Sequence, residues 1–159
     1  MTPGNFPFFL PHLCQFDVQY ILIGGGAAVA HGAARATYDV DVVYERTEEN
    51  YTRIVTALRD STLYYRGAPP GLPFRFDEAM LRSGLNFTFT SSHGDIDLLG
   101  EVAGGGTYES LLPDSVRLNL FEATVWVVGL PRLIELKRAA GRPKDFETIA
   151  ELETLLDER

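Results

Sequence analysis

A chain of 159 residues with 45% hydrophobic and 23% charged residues has the makeup of one ordinary globular domain, long enough to bury a real core and free of low-complexity tracts. A single cysteine, Cys14, excludes an internal disulfide and fits a cytoplasmic setting, and no apolar run reaches membrane-spanning length. The formal charge of −8 argues against nonspecific wrapping of nucleic acid, since phosphate contacts need a basic surface, but it leaves room for a nucleotide whose charge is met locally.

The first residues carry neither the basic start nor the long apolar core of a signal peptide. MTPGNFPFFLPHLCQFD, with three prolines and four phenylalanines, predicts a short helix around Leu10 to Phe16 that packs its aromatics on a sheet. His12 is expected at the surface or in packing, and Cys14 as a buried small hydrophobe rather than a nucleophile. A strand follows over Val18 to Ile23, its apolar run suggesting burial on both faces.

Gly24, Gly25 and Gly26 then precede a segment of small residues, Ala27 to Ala34, read as a helix lying close against the sheet. Glycines before a helix allow close backbone approach and aim free N–H groups at an anion. His31 and Arg35, four apart, share a face of that helix. His31 is expected to hydrogen-bond the backbone and fix the turn; Arg35 suits either a phosphate contact or an ion pair with an aspartate. Asp39 and Asp41 open the next strand, ahead of Val42 and Val43, and residues i and i+2 project to one face. Two such carboxylates repel unless a cation or a proton holds them. An anion cradle beside a hard-cation site is what a metal–triphosphate complex needs. A dinucleotide-binding Rossmann turn fits less well: the acids come too early, and Val29 stands where the third glycine of that motif belongs.

Thr47 is placed as the cap of a helix running to about Arg59, and Gly67, Pro69, Pro70, Gly71 and Pro73 predict an irregular loop that could border an acceptor pocket. Asp77 caps a short helix through Arg82, ending at Gly84. Leu85 to Thr90 alternates, with Leu85, Phe87 and Phe89 inward, and Asp95 to Leu99 is the next strand, carrying Asp95 and Asp97 on one face. Asp97 lies between Ile96 and Leu98, inside the strand. Asp95 is nearer the turn: an auxiliary base, a strand-end residue or simply solvated. Gly104 to Gly106 is a connector, Tyr108 to Leu112 a helical turn, and Val116 to Leu120 with Thr124 to Val128 a hairpin, the second strand suited to a sheet edge. Pro131 opens a helix with Leu130, Leu133, Ile134 and Leu136 on its buried face. Arg132, Lys137, Arg138, Arg142 and Lys144 make this the one basic region of an acidic chain. After Gly141 and Pro143, a last helix over Lys144 to Leu156 turns Phe146, Ile149, Leu152 and Leu155 inward.

The Gly24–Gly25 turn after a strand, Asp39-x-Asp41 in an apolar strand and Asp97 in GDIDLL together resemble the signature of the nucleotidyltransferase superfamily related to DNA polymerase beta, in particular its small stand-alone bacterial and archaeal members. HGAARAT and LIELKRAAGRPKDFETIAELE extend the resemblance over most of the chain. It implies one α+β domain over residues 1–159: a mixed, mostly antiparallel sheet, helices packed mainly on one side, and a helical C-terminal extension from about residue 130. It further implies transfer of a nucleoside monophosphate from ATP or another nucleoside triphosphate to a hydroxyl, on a small molecule or a partner protein. Asp39, Asp41 and Asp97 would hold Mg²⁺, two ions in sites of this kind, or Mn²⁺, while Gly24, Gly25, Arg35 and Lys137 would meet the nucleotide and Lys144 could join them. The alternative is a catalytically silent member kept as a binding module, such as a toxin–antitoxin partner. A metal-dependent nuclease has no other supporting feature.

Overall fold

The computed structural model describes residues 3–35, 37–69 and 71–159. In chain order the elements are α1 (Phe6–Gln15), β1 (Tyr20–Leu22), α2 (Gly24–Ala30), β2 (Val40–Tyr44), α3 (Glu48–Leu58), β3 (Tyr64–Tyr65), α4 (Glu78–Ser83) and β4 (Asn86–Thr90). There follow β5 (Ile96–Leu99), β6 (Glu101–Val102), β7 (Gly106–Thr107), α5 (Tyr108–Leu111) with a 3₁₀ turn over Leu112–Asp114, β8 (Ser115–Leu120), β9 (Ala123–Val128), α6 (Leu130–Ala140) and α7 (Asp145–Asp157). Seven strands form one mixed sheet in the order β3-β4-β5-β2-β1-β9-β8, and β6 with β7 makes a small separate hairpin. Among the described residues the parallel pairs are β2 with β5 and β1 with β9; the rest of the sheet is antiparallel. The α+β class and its mostly antiparallel sheet are those expected.

The core explains the central strands. Ile21, Val40, Val42, Val43, Tyr44, Ile96 and Val127 have no exposed surface, as two-sided burial at the middle of a sheet requires. Asn50 is the polar exception in α3: fully buried, it accepts from Gln19 N and donates to the Gln19 and Glu45 carbonyls, tying α3 to the entry of β1. Thr47 and Asp77 cap their helices as the sequence suggests, accepting from Asn50 N and Met80 N.

Several elements differ from expectation for identifiable reasons. α1 starts at Phe6, because Pro7 in the first turn lacks an N–H that needs no partner there, and burial of Phe9, Leu10 and Leu13 carries the helix through Pro11. The three glycines form the first turn of α2 rather than a loop before it; a Cβ on Gly26 would stand 2.5 Å from the Phe6 ring, so a bare backbone is what lets α1 and α2 close together. α2 ends at Ala30, so His31 and Arg35 share no helix face. Leu85 falls outside β4 and is 43% exposed, leaving Phe87 and Phe89 as the inward residues. β9 lies inside the sheet, with β8 as the edge. In the expected loop, 67–69 and 71–73 form no helix or strand, and Pro70 lies outside the described residues. Phe146 is 63% exposed instead of inward: α7 buries the face with Asp145, Thr148, Ile149 and Leu152.

Candidate active site

Parallel pairing of β2 with β5 sets Asp41 opposite Asp97 in register. Partners in register project to the same face, so the two carboxylates stand side by side. Asp39 lies just before β2 and is exposed. The start of α2 lies against Asp41: Ile23 N donates to the Asp41 carbonyl, and a Cβ on Gly24 would come within 2.6 Å of Asp41 Oδ2. Gly24 also has φ +66, in the left-handed region where glycine carries no penalty. A Cβ on Gly25 would meet Thr37 Oγ1 at 2.5 Å. The paired glycines thus admit the chain's own Asp41 and Thr37 to the backbone.

Asp41 Oδ1 is buried with no hydrogen-bond partner. Burial, a proton shared with Asp97 in a side-chain hydrogen bond, and the charges of Asp97 and Asp39 push its carboxyl up to about 7, with Arg142 pulling the other way; Oδ1 is without a partner only when both acids are ionised. A cleft of about 240 Å³ opens here, lined by Gly24, Asp41, Asp97, Lys137 and Arg142, with Ile23, Leu99, Val102, Leu133 and Leu136 as apolar walls. A larger groove of about 640 Å³ lies on the other side of α6, between β8 and the end of α7. It contains His31, Arg132 and Arg159 but no paired carboxylates in register, so the smaller cleft is the better candidate for chemistry.

The cations come from the α6–α7 connection. Gly141, with φ +63, ends α6 in a left-handed cap and turns the chain so that Arg142 comes back beside Lys137. Both grip Asp145, which is 4% exposed: Arg142 Nε donates to Oδ2 at 2.8 Å, and Lys137 Nζ stands 3.6 Å from Oδ1. Burial lowers the Lys137 ammonium below its usual value, while Asp145 acts to raise it. Lys144 is exposed at the N-terminal cap of α7.

Arg35 is not part of this cleft. Its guanidinium pairs with Glu151 at 3.0 Å and reaches Glu147 at 4.0 Å, fastening the segment after α2 to α7; the structural ion pair occurs, with glutamates in place of an aspartate. His31 makes the expected backbone contact, its Nε2 lying 2.8 Å from the Val128 carbonyl. Two contributors escaped the sequence reading. Asp145 was hidden because its burial depends on two cations arriving from α6 and the turn. Arg66, from the end of β3, donates to Asp97 Oδ1 at 2.6 Å and stands 3.3 Å from Asp95 Oδ2. Burial works against its charge, but Asp97 and Asp95 hold the guanidinium more firmly protonated than usual. Its only sequence signal is its place just ahead of the Gly/Pro loop.

Among the described residues, no group of three or more His, Cys, Asp or Glu side chains converges on one point. The in-register pair alone still suits a hard cation whose remaining ligands are substrate phosphates and water, the usual arrangement for Mg²⁺. Asp41 Oδ1, buried and unpartnered, is the atom such an ion would satisfy. Asp39 would have to turn inward to join.

No family model matches the sequence, and no curated protein matches it. Among solved structures, the lincosamide antibiotic adenylyltransferase LnuA, crystallised with lincomycin bound, is similar in fold, with a TM-score of 0.65 at 12% identity over 97% of this chain and 99% of that one. The chain has a nucleotidyltransferase fold.

Proposed function

We propose that this protein transfers a nucleoside monophosphate from a nucleoside triphosphate to a hydroxyl, releasing pyrophosphate, with Mg²⁺ or Mn²⁺ bound at Asp41 and Asp97. The observation that carries this reading is the in-register Asp41–Asp97 pair, one oxygen of it buried without a partner, in the same cleft as Lys137 and Arg142. When bound, the metal would neutralise phosphate charge and make the acceptor hydroxyl more acidic. The protein's own groups do the rest. Asp41 and Asp97 would hold that ion against the reacting phosphate, and Asp97 would take the proton from the hydroxyl as its oxygen bonds to the α-phosphorus and the bond to pyrophosphate breaks. Lys137 and Arg142 receive the negative charge that builds on the departing pyrophosphate. Gly24, which lines the cleft, would bring the α2 backbone nearest the phosphates, with Gly25 behind it against Thr37, and Asp39 would join by turning from its exposed position.

The acceptor we favour is a small molecule. LnuA is an antibiotic adenylyltransferase, and the likeness spans nearly the whole of both chains, so the two folds are of matching extent. The alternative is a silent binding module. It draws on one observation: Asp97 is already engaged by Arg66.

The deciding experiment incubates the purified protein with labelled ATP, GTP, CTP or UTP, Mg²⁺ and a cell extract. The enzyme reading expects one discrete labelled metabolite, or a protein heavier by one nucleoside monophosphate, and no label with an Asp41→Asn/Asp97→Asn double variant. A co-purifying partner retained by both proteins, with no labelling under any condition, would leave only the module.

A further inference from the structure

The Arg66 guanidinium lies between two carboxylates of the β5 segment. Its Nη2 donates to Asp97 Oδ1 at 2.6 Å and to the Phe89 carbonyl at 3.0 Å, while its Nε stands 3.3 Å from Asp95 Oδ2. The Asp97 side chain is 14% exposed and that of Asp95 38%, so the guanidinium bridges an inner acid and an outer one. A divalent cation and a guanidinium cannot share a carboxylate oxygen at contact distance without strong like-charge repulsion. One cation therefore already occupies part of the acid pair.

On the reading of Asp41 and Asp97 as the metal-holding pair, we propose that Arg66 is the built-in counter-ion of Asp97, and that metal binding moves its guanidinium from Asp97 onto Asp95. Three features support the exchange. The second partner is already in contact, so the guanidinium changes carboxylates without becoming unpaired. Gly67, the next residue, has φ +82 and nothing within 4 Å of where a Cβ would be, so nothing crowds the chain beside Arg66. Asp41, the other member of the pair, has a buried oxygen that receives no donor when both acids are ionised, which gives an incoming ion its first contact. Arg66 is then a positioning residue: it keeps the Asp97 carboxylate aimed into the cleft, and it lowers the affinity for metal alone. Asp95 acts through Arg66 and holds the arginine rather than the ion.

Calorimetric titration with Mn²⁺ and no nucleotide reads this directly. Arg66→Ala should bind Mn²⁺ roughly tenfold more tightly than the wild type, because the ion no longer has to break a charge-assisted hydrogen bond. Arg66→Gln, which keeps a donor for the Phe89 carbonyl, carries the same expectation if the alanine variant does not fold. Asp95→Asn should weaken Mn²⁺ binding in the wild type and change little in the Arg66→Ala background, a coupling that a merely local charge effect would not give. In wild-type protein labelled with ¹⁵N-arginine, Mg²⁺ should shift the Arg66 Nε–H resonance. Arg66 variants that bind no more tightly, an equal Asp95→Asn effect in both backgrounds, or an unmoved resonance at saturating Mg²⁺ would each overturn the exchange while leaving the metal site standing. Absence of metal binding in every protein would overturn both.

Discussion

Asp41 carries the clearest consequence at the scale of one residue. Its carboxyl is raised from 3.8 to about 7 in the native state, so between those values the folded protein holds a proton that the unfolded chain has released. The stability this group contributes is complete below the lower value, declines as pH rises, and is gone above the upper one. In metal-free buffer, urea unfolding at about pH 5 and about pH 8 should therefore show a loss for the wild type that is much smaller for Asp41→Asn, and saturating Mg²⁺ should flatten the wild-type profile. Gly24 gives the second test. Alanine there must adopt a left-handed φ and press on Asp41 Oδ2, so Gly24→Ala should lower stability by about 1–3 kcal/mol and weaken Mg²⁺ binding together. Loss of stability with unchanged metal affinity would show that Asp41 can retreat.

Among the elements, the α6–α7 connection and the β8–β9 hairpin make separate claims. Lys137 and Arg142 share Asp145, so Lys137→Ala leaves a buried carboxylate with one cation in place of two. Unfolding measurements should show a loss of about 1–3 kcal/mol, and nucleoside triphosphate binding should weaken by about tenfold or more while monophosphate binding changes little. An equal loss for both nucleotides would make Lys137 a structural cation only. The hairpin turns on Phe121 and Glu122, both with positive φ, the conformation for which Asn-Gly is the favoured pair. Phe121→Asn/Glu122→Gly should raise the unfolding free energy by roughly 1–2 kcal/mol, and an unchanged or lower thermal midpoint would show that Phe121 packs usefully against the groove beside α2.

For the whole molecule, the site depends on the sheet order. Residues 24, 41, 97 and 137 come from four separate elements and meet only because β5 joins β2 in parallel and α6 follows β9 back to the same cleft. A ligand bridging them should stabilise the entire domain. At a hundred times its dissociation constant, Mg²⁺–nucleoside triphosphate should raise the thermal midpoint by roughly 5–10 °C, and the Asp41→Asn/Asp97→Asn variant should show no such gain. A gain of equal size in that variant would move nucleotide binding away from the acid pair.

The sequence by itself determined what rests on local periodicity and capping: the order of most strands and helices, Thr47 and Asp77 as caps, the breaks at Gly84 and Gly141, and the alternation of Phe87 and Phe89. Those preferences act over a few residues and need no distant partner. What only the tertiary structure decided is pairing. Asp39 and Asp41 are neighbours in sequence, but strand register matches Asp41 with Asp97 and leaves Asp39 outside β2. The glycines announced a close approach, yet only the packed fold makes Asp41 and Thr37 the groups that approach. Arg35 went to the glutamates of α7, Asp145 was buried by cations from α6 and the turn after it, and Arg66 reached Asp97 from just beyond the edge strand β3, two strands away. An ion pair forms wherever the fold places opposite charges in one low-dielectric space, and no local pattern records that placement.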